Sequence, residues 1–337
     1  MDTTAANPHA RPRNAPPDSA LHHLPVSLFG SVMSLCGLCM AWRIAAAAYN
    51  LPALIAETIG GAAVLAFLAL CAAYGVKLVR APAAVHAEFV HPAAANFFAT
   101  FIISLLLLPA VLLPYAPTLA SALWLLGALL MVLFAWWMVK RWMSVRQQLA
   151  HATPAWIVPV VGTLNIPITG NLLGWPGLHE VALFSLAVGL FFTVPLFTLI
   201  FGRLLFEEAM PAPQRPSLLI FLAPFAVGFS AYVGTVRQID LLASGLFYLA
   251  LFMLAVLLPK LLDLPGCCPF RVSWWAAGFP LAAASIAALT YAAHLGAAFA
   301  HVLALMLLAF TTLLVLGLAW RTLHGIAQGE LKTLTLA

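Results

Sequence analysis

Apolar residues arrive in long blocks along this chain, and the polar residues collect between them. Ten blocks reach the roughly 20 residues that a helix needs to cross a hydrocarbon core of about 30 Å. They are Leu24–Ala45, Glu57–Val79, Pro92–Leu113, Thr118–Val139, Pro154–Leu173, His179–Phe201, Pro216–Val236, Asp240–Lys260, Ser273–His294 and Phe299–Leu323. The pattern predicts an all-α integral membrane protein with ten transmembrane helices at residues 24–323. Residues 1–23, with Pro8, Pro12, Pro16 and Pro17 among small and polar neighbours, read as a disordered tail. Residues 324–337 read as a short C-terminal tail. The first block is too long for a signal-peptide core and is expected to stay as the first helix.

Composition agrees with this. Hydrophobic residues make up 64% and charged residues 7% of the 337, where a soluble domain carries roughly 25% charge. The net charge of +5 would suit nucleic acid, but its distribution points to a membrane instead, and no nucleic-acid partner is expected. The two tails and the connections from even to odd helices hold Arg11, Arg13, Lys77, Arg80, Lys140, Arg141, Arg146, Arg203, Arg215, Lys260, Arg271, Arg321 and Lys332. Of the 15 basic residues, only Arg43 and Arg237 fall in the odd-to-even connections. Basic residues are retained on the cytoplasmic side. Both termini are therefore expected in the cytoplasm of a multi-pass protein of the inner (plasma) membrane.

Odd and even blocks differ in kind. Pro25, Pro92, Pro154 and Pro216 open odd blocks at intervals of 62 to 67 residues, one helical hairpin apart, where proline's missing donor costs little. Odd blocks also carry breakers further in, with expected kinks at Pro109, Pro159, Pro167 and Pro224. Five hairpins, each pairing a broken helix with a smoother one, suggest an inner ring of five broken helices inside an outer ring. Prolines and glycines are common in membrane helices generally; their concentration on alternate blocks favours the ring. The ninth block, SWWAAGFPLAAASIAALTYAAH, has Gly278, Phe279 and Pro280 in its first third. A broken backbone at membrane depth survives only against protein or a cavity. Phe279 is therefore read as a pore residue, with Gly278 and Pro280 as its hinge.

None of the ten acidic residues falls in the middle of a block, and Glu57, Glu180 and Asp240 stand at helix starts, where the dipole favours them. Cation pathways usually need intramembrane carboxylates, so the pattern argues against cations. A neutral path for anions would draw on Ser27, Ser31, Ser104, Thr163, Asn165 and Ser230, although a lone Ser or Thr more often bonds back to its own helix. The ten histidines lie at ends or in loops without a ligand spacing, so no metal is assigned. No cofactor motif is found. Tryptophans gather at block ends as an interfacial belt. Cys36 and Cys39 have redox spacing but sit in an apolar block, where Cys acts as a small hydrophobe. Cys267 and Cys268 are expected as reduced thiols.

Several stretches, taken in order, resemble the TehA-type tellurite-resistance and dicarboxylate-transporter family, which includes the slow-type anion channels of plant guard cells. They are LPVSLFGSVMSLCGLCMAWR from Leu24, HPAAANFFATFIISLLLL from His91, TPAWIVPVVGTLNIPITG from Thr153, RPSLLIFLAPFAVGFSAYV from Arg215 and WWAAGFPLAAASIAAL from Trp274. The resemblance implies five helical hairpins in quasi-fivefold array around a central pore, assembled as a homotrimer. It also implies that a ninth-helix phenylalanine, Phe279, occludes the pore. The chain departs from the family at Thr163, where an Asn is expected, and at Cys36 and Cys39. The combined expectation is an anion channel or facilitator for small inorganic or organic anions. The alternative is a secondary transporter exporting malate-like dicarboxylates, tellurite or sulfite. A membrane enzyme is disfavoured because no acid, metal or nucleophile cluster lies mid-block.

Overall fold

The structure, a computed structural model, describes residues 23–335; residues 1–22 of the expected tail lie outside them. Ten described helices are long and apolar enough to cross a membrane. They are α1 (Val26–Tyr49), α2 (Ala53–Arg80), α3 (Ala94–Leu112), α4 (Pro117–Ser144), α5 (Pro154–Leu173), α6 (Leu178–Phe206), α7 (Ala212–Val236), α8 (Leu241–Cys267), α9 (Val272–Leu295) and α10 (Ala298–Ala327). The even helices run past their expected ends. Arg141 and Arg203, which looked like stops, lie in the last turns of α4 and α6. A cation there complements the negative end of the helix dipole, and its stem covers apolar surface. Likewise α8 continues through Pro259 and Pro265.

Every odd span opens in 3₁₀ turns before settling into α-helix: Val26–Leu28, Ala94–Phe97, Pro154–Ile157, Ala212–Leu222 and Val272–Ala277. Helix α5 tightens again at Gly162–Leu164. Pro159, Pro167, Pro224 and Pro280 each sit in the first turn of the α-helical segment that follows such a stretch, where a missing donor is tolerated. Pro109 differs: it lies inside the α-helical part of α3. The even spans are continuous α-helices.

Burial separates the two sets. In the most apolar window of each odd span 61–78% of residues are buried, against 11–33% for the even spans. The odd spans contact one another in cyclic order, α1 to α3, α3 to α5, α5 to α7, α7 to α9, and α9 back to α1. The result is a closed inner ring wrapped by the lipid-facing even spans. Cys36 and Cys39 are fully buried in it. Cys267 and Cys268 depart from expectation: they are joined as a vicinal disulfide where α8 ends and the chain turns extended at Cys268.

Polar clamps hold the ring at both ends. At the end where the odd spans begin, the short helix Pro82–Val90 presents Glu88. Its Oε1 accepts the Val26 N–H (2.7 Å), and its Oε2 accepts from Lys77 Nζ (2.7 Å) and Tyr74 (3.1 Å). Lys77 is buried and also donates to the Leu24 carbonyl (2.7 Å). At the opposite end, Arg43 forms a bidentate pair with Glu57 (2.9 and 2.8 Å) and donates to the Ala110 and Val111 carbonyls at the end of α3 (2.7 and 3.1 Å). Arg237 donates to the Asn171 carbonyl near the end of α5 (3.0 Å). The two basic residues that broke the charge pattern thus cap C-termini of inner helices. Asp240 caps α8 as its position suggested. The Ala243 N–H, and then the Tyr232 hydroxyl, hold its carboxyl below the usual range. Beyond Leu323, α10 continues to Ala327, and a last helix, Leu331–Thr335, folds back with Leu331 and Leu334 buried and Glu330 paired to Arg321 (3.0 Å).

Removing Lys77 would leave the half-buried Glu88 without its counter-charge. We expect Lys77→Met to destabilise the protein by about 3 kcal/mol or more, and the double variant with Glu88→Gln to recover part of that loss. Thermal unfolding of the purified variants measures both; a Lys77→Met melting temperature equal to wild type would contradict the clamp.

Candidate functional site

The opening turns of all five odd spans converge on one end of the ring, and a cavity with about 780 Å³ of empty space runs inward from there. Every residue that lines it belongs to an odd span. Its polar groups are few: Ser27, Thr100, Asn165 and Ser273, with the indole of Trp275. No lining residue is charged. Toward the end of the ring the cavity continues into a wider vestibule. The two share Ser27, Phe97, Val272, Ser273 and Ala276, and the vestibule adds Glu88, His91, Gln214 and Arg271. Arg271 donates to the Thr333 carbonyl at a long 3.5 Å, and its Nε is buried and meets no partner among the described residues.

The lining residues furthest along each span from its opening turn are Met33, Ile103, Asn165, Val227, and Phe279 with Pro280. Phe279 is buried. Its ring lies against α1 at Gly37, where an added Cβ would stand 3.4 and 3.6 Å from Phe279 Cδ2 and Cε2. Gly37 also sits so close to α9 that this Cβ would be 2.9 Å from Ala282 Cβ. Gly278, read from the sequence as part of the hinge, has no open space beside it. A Cβ there would come within 2.8 Å of Ser34 Cβ, so this glycine lets α1 and α9 approach closely. The change of helix type lies just before Gly278, at the end of Val272–Ala277, and Pro280 follows it within one turn.

Of the predicted polar candidates, Ser27 and Asn165 line the cavity beside Phe279. Asn165 Nδ2 donates to the Gly162 carbonyl (3.0 Å), which leaves Oδ1 buried and unpaired. The other four do not line it. Ser31 bonds back to Leu28 (2.7 Å) and Ser230 to Ala226 (3.2 Å) within their own helices. Ser104 donates to Thr100 (2.8 Å) and reaches across to the Phe29 carbonyl of α1 (3.3 Å). Thr163 turns outward, to Val160 (2.8 Å) and the Ser185 carbonyl of α6 (3.1 Å). The polar residues missed from sequence are Thr100 and Ser273, which sit near the starts of their spans. Thr100 stands four residues from both Asn96 and Ser104, and that helical spacing was its available signal. Pro159, Pro167, Pro224 and Pro109 shape the spans but do not line the cavity, whereas Pro280 does.

A family model described as voltage-dependent anion channel matches residues 23–323. The S-type anion channel SLAH3 of Arabidopsis thaliana is 28% identical over 308 residues, covering 89% of this chain and 48% of the plant protein. The guard cell S-type anion channel SLAC1 of the same plant is 26% identical over 283 residues, covering 81% of this chain and 50% of its own. This chain therefore spans about half the length of those two relatives. An uncharacterized transporter of Methanocaldococcus jannaschii is 27% identical over 247 residues, with 65% of this chain and 70% of that one covered. The family match begins just before α1 and ends within α10, taking in the whole inner ring and its cavity, and the chain belongs to the voltage-dependent anion channel family.

Proposed function

We propose that this protein is an anion channel or facilitator whose central cavity is the conducting path and whose gate is Phe279. The observation that carries this reading is a cavity lined by all five inner spans, free of charged side chains, with Phe279 in its wall. In such a path selectivity follows the cost of dehydration, so weakly hydrated monovalent anions pass most readily. Five helix N-termini meet at the mouth, and each adds a partial positive charge that draws anions. Arg271 adds a full charge in the vestibule. The names of the plant relatives, S-type anion channels, support the same reading.

The family resemblance supports a reading of the assembly, and the basic residues support one of the orientation. The hairpins form a quasi-fivefold pore, the functional unit is a homotrimer, and the end carrying the vestibule faces the cytoplasm of the inner (plasma) membrane, as the distribution of basic residues favours. Anions then enter from the cell interior. Phe279 blocks by bulk and by dewetting, and it opens by turning away from Gly37. A carrier driven by protons needs a titratable group on its path; the inner cavity supplies none, and Glu88 and His91 stand only in the vestibule.

Phe279→Ala is expected to open the path. Each ~1.4 kcal/mol of barrier removed raises flux about tenfold, so chloride and nitrate flux into proteoliposomes should rise by at least that factor, with or without a pH gradient. Gradient-driven, saturable flux in wild type that the substitution abolishes would establish a carrier instead. Arg271→Gln should lower chloride flux at low ionic strength, and the deficit should vanish near 1 M salt, where the screening length is about 3 Å. A deficit that persists unchanged at high salt would mean that Arg271 acts on the fold rather than by drawing in anions.

A further inference from the structure

Outside the central cavity, two side chains on packed elements carry buried hydrogen-bond donors that meet no acceptor among the described residues. Arg203 lies in the last turn of α6, on the stripe of Ser185, Gly189, Thr193, Leu196 and Ile200 that packs inward. It is only 5% exposed, and its Nε and Nη1 are buried and meet no partner among the described residues. Helix α6 packs along α5, including the opening turn Pro154–Ile157, and against α7. That opening turn holds Trp156, 4% exposed, whose Nε1 is also buried and unpaired. Its ring is held by stacking on Trp142 of α4, 5.3 Å between centroids and 9° between planes.

Chemistry narrows what can satisfy these groups. A guanidinium stays protonated in proteins and both groups only donate, so the missing partner is an acceptor that carries negative charge. The negative end of the α6 dipole offsets part of the Arg203 charge, but a buried ion without a full counter-charge still costs several kcal/mol. The surrounding spans cannot supply the counter-charge, because neither α5 nor α7 contains an Asp or Glu, and α7 adds the cation Arg215. Glu207 and Glu208 follow α6 directly but are exposed and form no ion pair with Arg203 among the described residues. Neither Arg203 nor Trp156 lines the central cavity or the vestibule.

We propose that Arg203 and Trp156 form an oxyanion-binding site between the adjoining ends of α5 and α6, apart from the central cavity, that takes a phosphate-type group. Arginine's planar fork suits two oxygens of such a group, and the indole N–H suits a third. Arg203 stands three residues before the end of α6, about 4.5 Å along the axis, which is headgroup depth for a spanning helix. The group therefore comes either from an anionic lipid or from free oxyanion in solution. Bound there, it ties an outer span to the opening turn of an inner one.

The test uses the full chain in phosphatidylcholine nanodiscs, with melting temperature read as inorganic phosphate is titrated and, separately, as phosphatidylglycerol replaces part of the lipid. Wild type should gain several degrees with at least one probe: phosphate if the source is solution, phosphatidylglycerol if it is lipid. Arg203→Leu should lose that gain, and Trp156→Phe, which keeps the stacked ring, should need about tenfold more ligand to reach it. Arg203→Lys should keep part. No gain with either probe, or a gain undiminished in Arg203→Leu, would overturn the site. If Arg203→Leu does not fold, Trp156→Phe decides, and an unaltered titration in it overturns the two-donor site. The thermal readout does not depend on whether the central cavity conducts.

Discussion

Backbone hydrogen bonding in a medium without water is the constraint on which this architecture depends. A helix that faces lipid must satisfy its own carbonyls and amides, and the even spans do so as unbroken α-helices. The odd spans open in tightened turns, take prolines into their first α-helical turns, and in α5 change pitch twice. Such segments are stable at membrane depth only when other protein surrounds them or a cavity receives them. Both conditions are met by placing them inside. The wrapping of broken helices by regular ones, the ring and the cavity are thus consequences of one requirement.

A second consequence concerns charge. Five inner helices share one direction, so their positive ends collect at the vestibule and their negative ends at the far side. The protein treats the two ends differently. At the vestibule, Glu88 takes the first amide of α1 and is itself balanced by Lys77. At the far end Arg43 and Arg237 sit on exposed carbonyls of α3 and α5. Full charges are placed where helix ends need them, and the cavity walls between are left neutral.

Much of this was legible in the chain because the membrane makes few demands and makes them strongly. Twenty apolar residues in a row, a proline at four of the five odd starts and a lopsided count of basic residues are coarse signals that survive errors of several positions. What escaped depends on which side of a helix a residue faces and what stands opposite. Gly278 read as part of a hinge because a glycine two residues before a proline suggests a loose turn; Ser34, 244 residues earlier in the chain, closes off the space beside it. Thr163 and Asn165 are two residues apart, about 200° around a helix, so one bonds to α6 and the other lines the cavity, and which of the two looks inward is set by the neighbouring helices. Arg43 and Arg237 read as exceptions because their acceptors belong to other helices.

The contact between Gly37 and Phe279 also has a temporal side. It joins the first inner helix to the last, and about 240 residues of chain separate the two. At a synthesis rate of about 5–20 residues per second, α1 would wait roughly 12 to 50 seconds for α9 to emerge. Throughout that interval the irregular faces of four inner helices have no fifth to close against. A polypeptide of this design therefore spends its riskiest moments as an open arc in the bilayer. The insertion machinery, or the regular helices already laid down outside the arc, must shelter it until the last inner helix arrives.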